Sequence, residues 1–179
     1  RLYSKLKQIN KTEYTWITPE IKEKCVSRLN KNLGHEFNSE DELEVEKQIV
    51  HYSNEPAHDL IDKALYPYFL NETIFRFSGR LDLLSKTTLW ELKCTSKISQ
   101  EHQMQVMIYA WLWRTIYPDS PREVRIFNLR TGERQRLESS YEELTNIIVS
   151  LLQNKYEKPE ILDNDEFLLV CEEIMNKYI

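Results

Sequence analysis

Hydrophobic and polar side chains alternate with a period of two along residues 43–52 and 75–93, a spacing that is typical of β-strands. Within the second stretch, the short polar segment Ser85 to Thr88 interrupts the alternation and predicts the turn of a hairpin. Because strand side chains point to opposite faces in turn, the first strand of this hairpin has an apolar and a polar face. The apolar face carries Phe75, Phe77, Leu81 and Leu83, and the polar face carries Ser78, Arg80 and Asp82.

The other segments predict helices and further strands. Thr18 and Pro19 suit the start of a helix, which we expect to run to about Asn32 and to end at Gly34. Downstream, the patterns predict an irregular helical crossover over 56–69, a buried helix over 98–117, strands over 123–129 and 133–137, and helices over 141–154 and 166–178. This order predicts an α/β fold with a central mixed β-sheet flanked by helices.

The second strand of the hairpin completes a set of charged side chains. Glu91 and Lys93 share one face of it, opposite Trp90 and Leu92. If both strands turn their apolar faces to the core, then Asp82, Glu91 and Lys93 meet on the other side. Two clustered carboxylates repel each other, and oxygen ligands favour a hard divalent cation such as Mg²⁺ or Mn²⁺. This points to metal-assisted phosphodiester cleavage, and the alternative is an exposed strand face with a cross-strand ion pair.

The helix that follows carries a polar stripe on an otherwise apolar surface. His102, Gln105 and Tyr109 lie at spacings of three and four residues, so they share one side of the helix. In the functional interpretation this side faces the hairpin and contacts Lys93, the water ligands of the metal or a substrate phosphate. In the structural interpretation Gln105 and Tyr109 satisfy each other by a hydrogen bond inside the core.

Three motifs follow one another along the hairpin and the next helix: Gly79-Arg80-Leu81-Asp82, Glu91-Leu92-Lys93 and Gln105-x-x-x-Tyr109. In this order they resemble the PD-(D/E)XK nuclease superfamily, and most closely its RecB-type members with a Q-x-x-x-Y motif. The literal Pro-Asp dipeptide is absent before Asp82, as is usual in that subgroup. The resemblance implies a restriction-endonuclease-like fold and a single nuclease domain over residues 1–179. Its parts would be an N-terminal helical segment over 1–37, a catalytic core over about 43–138, and C-terminal helices over 139–179.

The resemblance also implies an activity. It is the hydrolysis of phosphodiester bonds of DNA by a Mg²⁺- or Mn²⁺-dependent deoxyribonuclease, an exonuclease of RecB type. The catalytic residues would be Asp82, Glu91, Lys93, Gln105 and Tyr109. The metal would be held by Asp82, Glu91 and the backbone carbonyl of Leu92.

Further residues have weaker claims to the same site. Many RecB-type members use a histidine of the first helix as an additional metal ligand, and His35 lies at about that place, although the family spacing is not reproduced. His51 is a second candidate ligand, and Glu46 is either a ligand or a solvated strand charge. Arg80 either contacts a substrate phosphate or neutralises the carboxylates. His102 is a candidate for substrate binding.

Charge is unevenly distributed along the chain. The net charge is −5, but residues 73–138 carry 11 Lys and Arg against 7 Asp and Glu, a local net charge of +4. Such a local field is compatible with binding to a nucleic-acid backbone. Because no separate recognition domain is evident, we expect largely sequence-independent binding to single- or double-stranded DNA. The alternative function is a catalytically silent nucleic-acid-binding module on the same fold.

Cysteines and apolar runs limit the compartment and the cofactors. Cys25, Cys94 and Cys171 are dispersed, which predicts free thiols in a reducing, intracellular compartment. Several RecB-type relatives bind an iron–sulfur cluster through four cysteines, so no cluster is expected here. The apolar run over 106–113 is too short to span a bilayer, and no membrane partner is expected. Whether the chain acts in a homo-oligomer or in a larger repair, replication or defence assembly stays open.

Overall fold

The computed structural model describes residues 17–37, 43–52, 61, 63, 76–157 and 164–178. Of the sequence predictions, Phe75 and most of the crossover over 56–69 lie outside the described residues. The elements are, in chain order, α1 (Pro19–Phe37), β1 (Glu44–Tyr52), β2 (Arg76–Leu84), β3 (Thr88–Lys93), α2 (Gln100–Ile116), β4 (Glu123–Asn128), β5 (Arg134–Arg136), α3 (Tyr141–Glu157) and α4 (Asn164–Tyr178). Among these residues, no helix is long and apolar enough to cross a membrane.

The strands form one sheet in the order β1-β2-β3-β4-β5. Strands β3 and β4 run parallel and are joined by α2 as a crossover, whereas the other neighbouring strands are antiparallel. The predicted hairpin is therefore present as β2 and β3. The predicted α/β class, a mixed sheet flanked by helices, is confirmed.

Helix α1 begins as predicted but ends later. The Thr18 hydroxyl accepts a hydrogen bond from the Ile21 N–H at 3.4 Å, as an N-cap does. The helix continues through Gly34 to Phe37, so the predicted end at Gly34 is wrong. A glycine ends a helix by adopting a left-handed conformation, and Gly34 does not adopt one. Instead, the fully buried Leu33 packs the last turns of α1 against the sheet.

Apolar side chains cover both faces of the sheet. On one face, which we call the α2 face, strand residues pack against α2, α3 and α4, and the buried members include Ile49, Leu81, Leu84, Leu89, Trp111, Leu144 and Ile174. On the other, the α1 face, Leu33 packs with Leu83, Trp90 and Phe127. The hairpin therefore lies between two apolar layers, and neither of its faces is turned wholly to solvent.

Strands β1 and β2 reverse their faces at Glu46 and Asp82. These residues lie opposite each other but do not pair in the ladder, and Glu46 has a φ of 56°. Leu81 packs on the α2 face, whereas Leu83, two residues later, packs on the α1 face. Phe77 packs on the α2 face with Leu81. The prediction that Phe77, Leu81 and Leu83 share one face is therefore wrong for Leu83. An irregular residue of this kind locally re-aims the side chains of a strand.

The reversal decides where the charged residues meet. It turns Asp82 away from the face of Ser78 and Arg80 and toward β3. On β3, Trp90 and Leu92 pack on the α1 face. Because side chains alternate along a strand, Glu91 and Lys93 lie on the α2 face. The prediction that the charged groups meet on the side away from the core is therefore wrong. They meet beside α2, inside the protein.

Candidate active site

The site lies where β2 and β3 separate. The two strands pair only at Leu83–Trp90 and Leu84–Leu89, whereas β3 pairs with β4 along its whole length. Beyond Trp90, the Leu92 N–H donates not to the main chain of β2 but to Asp82 Oδ2, at 2.7 Å. The Asp82 carboxylate thus occupies the gap that opens between the strands.

Glu91 is the buried carboxylate of the site. Its side chain is only 1% exposed, and the Lys93 Nζ donates to its Oε1 at 2.5 Å. The second oxygen, Oε2, is buried and has no hydrogen-bond partner. Burial raises the pKa of Glu91 to about 7; Lys93 opposes this rise, whereas the neighbouring Asp82 carboxylate adds to it. A buried carboxyl group in this setting is satisfied by a proton or by a cation.

Besides Glu91, a side chain of helix α2 also binds the ammonium group of Lys93. The Lys93 Nζ donates to Gln105 Oε1 at 2.8 Å, and the Gln105 Nε2 donates to the Tyr109 hydroxyl at 2.9 Å. The predicted polar stripe therefore does face the hairpin and contacts Lys93. The Gln105–Tyr109 bond of the structural interpretation is also present, but it is one link of a chain that ends at the Glu91 carboxylate.

Gly79 leaves the space that Tyr109 occupies. A Cβ atom at Gly79 would lie 2.7 Å from Tyr109 Cε1 and 2.9 Å from its Cδ1, closer than any real packing contact. The glycine on β2 is therefore required by the aromatic ring, which in turn holds Gln105. At Gly34, by contrast, an added Cβ would meet nothing within 4 Å.

We expect the Gly79→Ala protein to remain folded but to lose about tenfold or more of any activity that depends on Lys93, because a displaced Tyr109 no longer fixes Gln105. The matched control is Gly34→Ala, which adds a methyl group in a helix and should stabilise the protein by about 0.5–1 kcal/mol with unchanged activity. Thermal unfolding and cleavage rates of both variants are the measurements. Equal activity of Gly79→Ala and the parent would contradict the role of this contact.

Two candidate substrate-binding residues are engaged elsewhere. The Arg80 Nε contacts Glu46 Oε2 at 2.9 Å, and its side chain is 70% exposed, so Arg80 forms a surface ion pair with Glu46. His102 Nδ1 accepts a hydrogen bond from the Ser99 N–H at 3.1 Å, at the start of α2. Burial, aided by the charge of Lys93, lowers the pKa of His102, which suits this acceptor role.

The two candidate histidine ligands lie apart from the carboxylates. His35 is exposed in the last turn of α1, on the opposite side of the sheet from Glu91. His51 is buried and pairs with Phe77, about 16 Å along β2 from Asp82 at the usual rise of a strand. Over the ranges that the structure describes, no three His, Cys, Asp or Glu side chains cluster to hold a metal. The described site is a carboxylate pair.

Asn128, at the end of β4, was not predicted from the sequence. It is fully buried; its Oδ1 accepts from the N–H groups of Thr95 and Arg130 at 3.3 and 3.1 Å, and its Nδ2 donates to the Thr95 carbonyl at 3.0 Å. The Leu129 N–H donates to the Lys93 carbonyl at 2.7 Å. These bonds fix the loop directly after Lys93. The available signal was a polar residue closing the apolar strand V-R-I-F-N.

Comparisons with known proteins do not assign this chain to a family. No model of a protein family matches the chain, and no curated protein matches it.

Proposed function

We propose that this protein is a metal-dependent deoxyribonuclease that uses Asp82, Glu91 and Lys93, acting as an exonuclease of RecB type. One observation supports this above the others: Glu91 is buried, has an unsatisfied oxygen, and lies beside a second carboxylate and a lysine that a glutamine holds in place. An ordinary surface ion pair does not bury its carboxylate in this way. The order of the three sequence motifs agrees with the same function.

The residues fit a hard divalent cation. Mg²⁺ is typically held by one or two carboxylates and keeps several water ligands, so Asp82 and Glu91 suffice. The Leu92 N–H points at Asp82, and in a strand the carbonyl of the same residue points to the same side, so this carbonyl would be the third ligand of a bound cation. Bound Mg²⁺ or Mn²⁺ lowers the pKa of a water ligand and neutralises charge on the scissile phosphate.

Lys93 has two functions in this proposal. Its ammonium group favours the ionised form of Glu91, which is the form that binds a cation. It also stabilises the negative charge that develops on the phosphate, and it orients the attacking water. Gln105 and Tyr109 act as positioning residues, because they hold the ammonium group of Lys93 where it reaches both Glu91 and the substrate phosphate.

Cleavage of labelled DNA tests the proposal. Linear and closed circular DNA, each single- or double-stranded and labelled, are incubated with the protein in Mg²⁺ or in EDTA. We expect Mg²⁺-dependent loss of linear strands, persistence of the circles, and a rate that falls steeply as salt rises. If no substrate is cut in Mg²⁺, or if Asp82→Asn protein cuts as fast as the parent, the proposal is wrong.

A second function is a catalytically silent nucleic-acid-binding module. It is favoured by one observation, that Asp82 and Glu91 have no third metal-binding side chain beside them in the described residues. Such a module should bind DNA equally well in Mg²⁺ and in EDTA and should cut none. The same incubation, followed by a DNA-binding measurement, separates the two functions.

A further inference from the structure

Two cysteines that lie 69 residues apart in the chain meet next to the site. The Cys25 Sγ lies 3.7 Å from the Cys94 Sγ. Cys25 is buried on α1, whereas Cys94 directly follows Lys93 and is exposed. Both are free thiols. The sequence pattern of dispersed cysteines gave no sign of this contact.

Further contacts of α1 hold the two sulfur atoms together. One turn after Cys25, the Arg28 guanidinium donates to the Leu129 carbonyl at 2.9 Å and also to the Arg130 carbonyl. Leu129 in turn is bonded to the Lys93 carbonyl. Helix α1 is therefore anchored to the loop after β4, which is itself hydrogen-bonded to Lys93, the residue before Cys94. The packing of the fold thus brings the two sulfur atoms close together.

We propose that Cys25 and Cys94 are a reversible disulfide pair whose closure cross-links α1 to the residue after Lys93. A disulfide bond is about 2.05 Å long, so the sulfur atoms need to approach by roughly 1.7 Å from their present separation. The exposed Cys94 gives a small oxidant access to the pair. In a reducing compartment, disulfides of this kind are transient and respond to oxidation.

The oxidant in this proposal is a low-molecular-weight disulfide such as glutathione disulfide. Cys94 loses its proton and its sulfur attacks one sulfur of the oxidant, which breaks that S–S bond and releases the first thiol. Cys25 then loses its proton and attacks Cys94 Sγ, which breaks the mixed disulfide and releases the second thiol. Two protein thiols are oxidised, one disulfide is reduced to two thiols, and the two protons leave on those thiols.

Formation of the Cys25–Cys94 disulfide is favoured by the proximity of the two sulfur atoms and not by the acidity of Cys94. Although Cys94 is exposed as a residue, partial desolvation of its thiol and the adjacent Cys25 thiol raise the pKa of Cys94, so it is not an unusually reactive thiolate. The second step, in contrast, is intramolecular and benefits from the short distance between the sulfur atoms. Cys171 is buried elsewhere, and burial raises its pKa to about 11, so it should stay a thiol under the same conditions.

Closure should have two measurable effects. The cross-link closes a loop of about 70 residues and should raise the thermal midpoint by roughly 10 °C. It should also slow DNA cleavage by about tenfold or more, because drawing residue 94 toward α1 displaces Lys93. The second effect rests on the proposed nuclease function, whereas the cross-link and the stabilisation do not.

The test treats the whole protein with glutathione disulfide, blocks the remaining thiols with N-ethylmaleimide, and maps the peptides without reduction. We expect a Cys25–Cys94 linked peptide, a blocked Cys171 and full reversal by dithiothreitol. The Cys25→Ser control should stop at a glutathione adduct on Cys94. Three blocked thiols in the parent, or an adduct on Cys94 that never converts to the cross-link, would overturn the pair.

The activity measurement separates the two proposals. Cross-linked protein that cuts DNA as fast as reduced protein would overturn the regulatory effect and leave the disulfide in place. Reduced protein that does not cut DNA at all would overturn the nuclease function, and the mapped cross-link and the thermal shift would still decide on the disulfide.

Discussion

We expect the Lys93→Met protein to cleave DNA more slowly than the parent by about two orders of magnitude or more, while it stays folded. Methionine keeps the length of the side chain but removes its charge, and with it the contact to the developing charge on the phosphate. The fold should survive because Glu91 can take up a proton once its partner is gone: its pKa already lies at about 7, and losing Lys93 raises it further.

The matched control for this prediction is Lys97→Met. Lys97 lies exposed in the loop four residues beyond Lys93, so it tests the loss of one positive charge near the site without loss of the contact to Glu91. We expect it to lower DNA affinity slightly and to leave the rate at saturating DNA unchanged. Single-turnover cleavage rates and far-UV circular dichroism of both variants are the measurements. Similar rates for Lys93→Met and Lys97→Met would remove Lys93 from the chemistry.

We expect the Glu91→Gln protein to be more stable than the parent above pH 7 in EDTA, yet inactive. Below about pH 4.5 the Glu91 carboxyl is protonated in both the folded and the unfolded chain. Between pH 4.5 and 7 the unfolded chain loses this proton and the folded chain keeps it, because the folded pKa is raised to about 7. The free energy of unfolding of the parent therefore falls by about 3 kcal/mol across this window. Because glutamine does not titrate, the free energy of unfolding of the Glu91→Gln protein does not fall in this way.

Metal reverses this difference. A divalent cation replaces the proton, so Mg²⁺ should stabilise the parent increasingly as pH rises and should have little effect on Glu91→Gln. Urea unfolding of both proteins at pH 5 and at pH 8, in EDTA and in Mg²⁺, measures the effect. Titrating groups that do not interact with Glu91 cancel in the comparison of the two proteins. A stability difference that does not change between the two pH values would show that Glu91 is ionised throughout.

Local patterns in the sequence predicted most of the fold. Period-two alternation located β1, β2 and β3, and the Thr18-Pro19 pair located the start of α1. The same alternation grouped Glu91 with Lys93, and the helical spacing of Gln105 and Tyr109 predicted that they share one side of the helix, with a stripe facing the hairpin as one of two interpretations. These features depend on neighbours a few residues apart, which is the range over which side-chain periodicity carries information.

Such local patterns could not predict features that depend on tertiary packing. Both strands change faces at Glu46 and Asp82, where Glu46 has a positive φ that residues other than glycine seldom adopt, and the predicted solvent-facing site is a buried one. The approach of Cys25 to Cys94 depends on how α1 lies against the sheet. The sequence predicts a helix end at Gly34, whereas the helix continues to Phe37, because the packing of Leu33 that prolongs it has no local signal.

The central claim is that Asp82 and Glu91 together bind one divalent cation next to Lys93, and titration of the protein with Mn²⁺ by calorimetry tests it most directly. Asp82→Asn is the test variant, and Glu46→Gln is the control, since Glu46 contacts Arg80 at the surface. We predict one site per chain in the parent and in Glu46→Gln, and a loss of affinity of about a hundredfold or more in Asp82→Asn. Equal Mn²⁺ affinity in the parent and Asp82→Asn, or no binding to the parent, would contradict the claim.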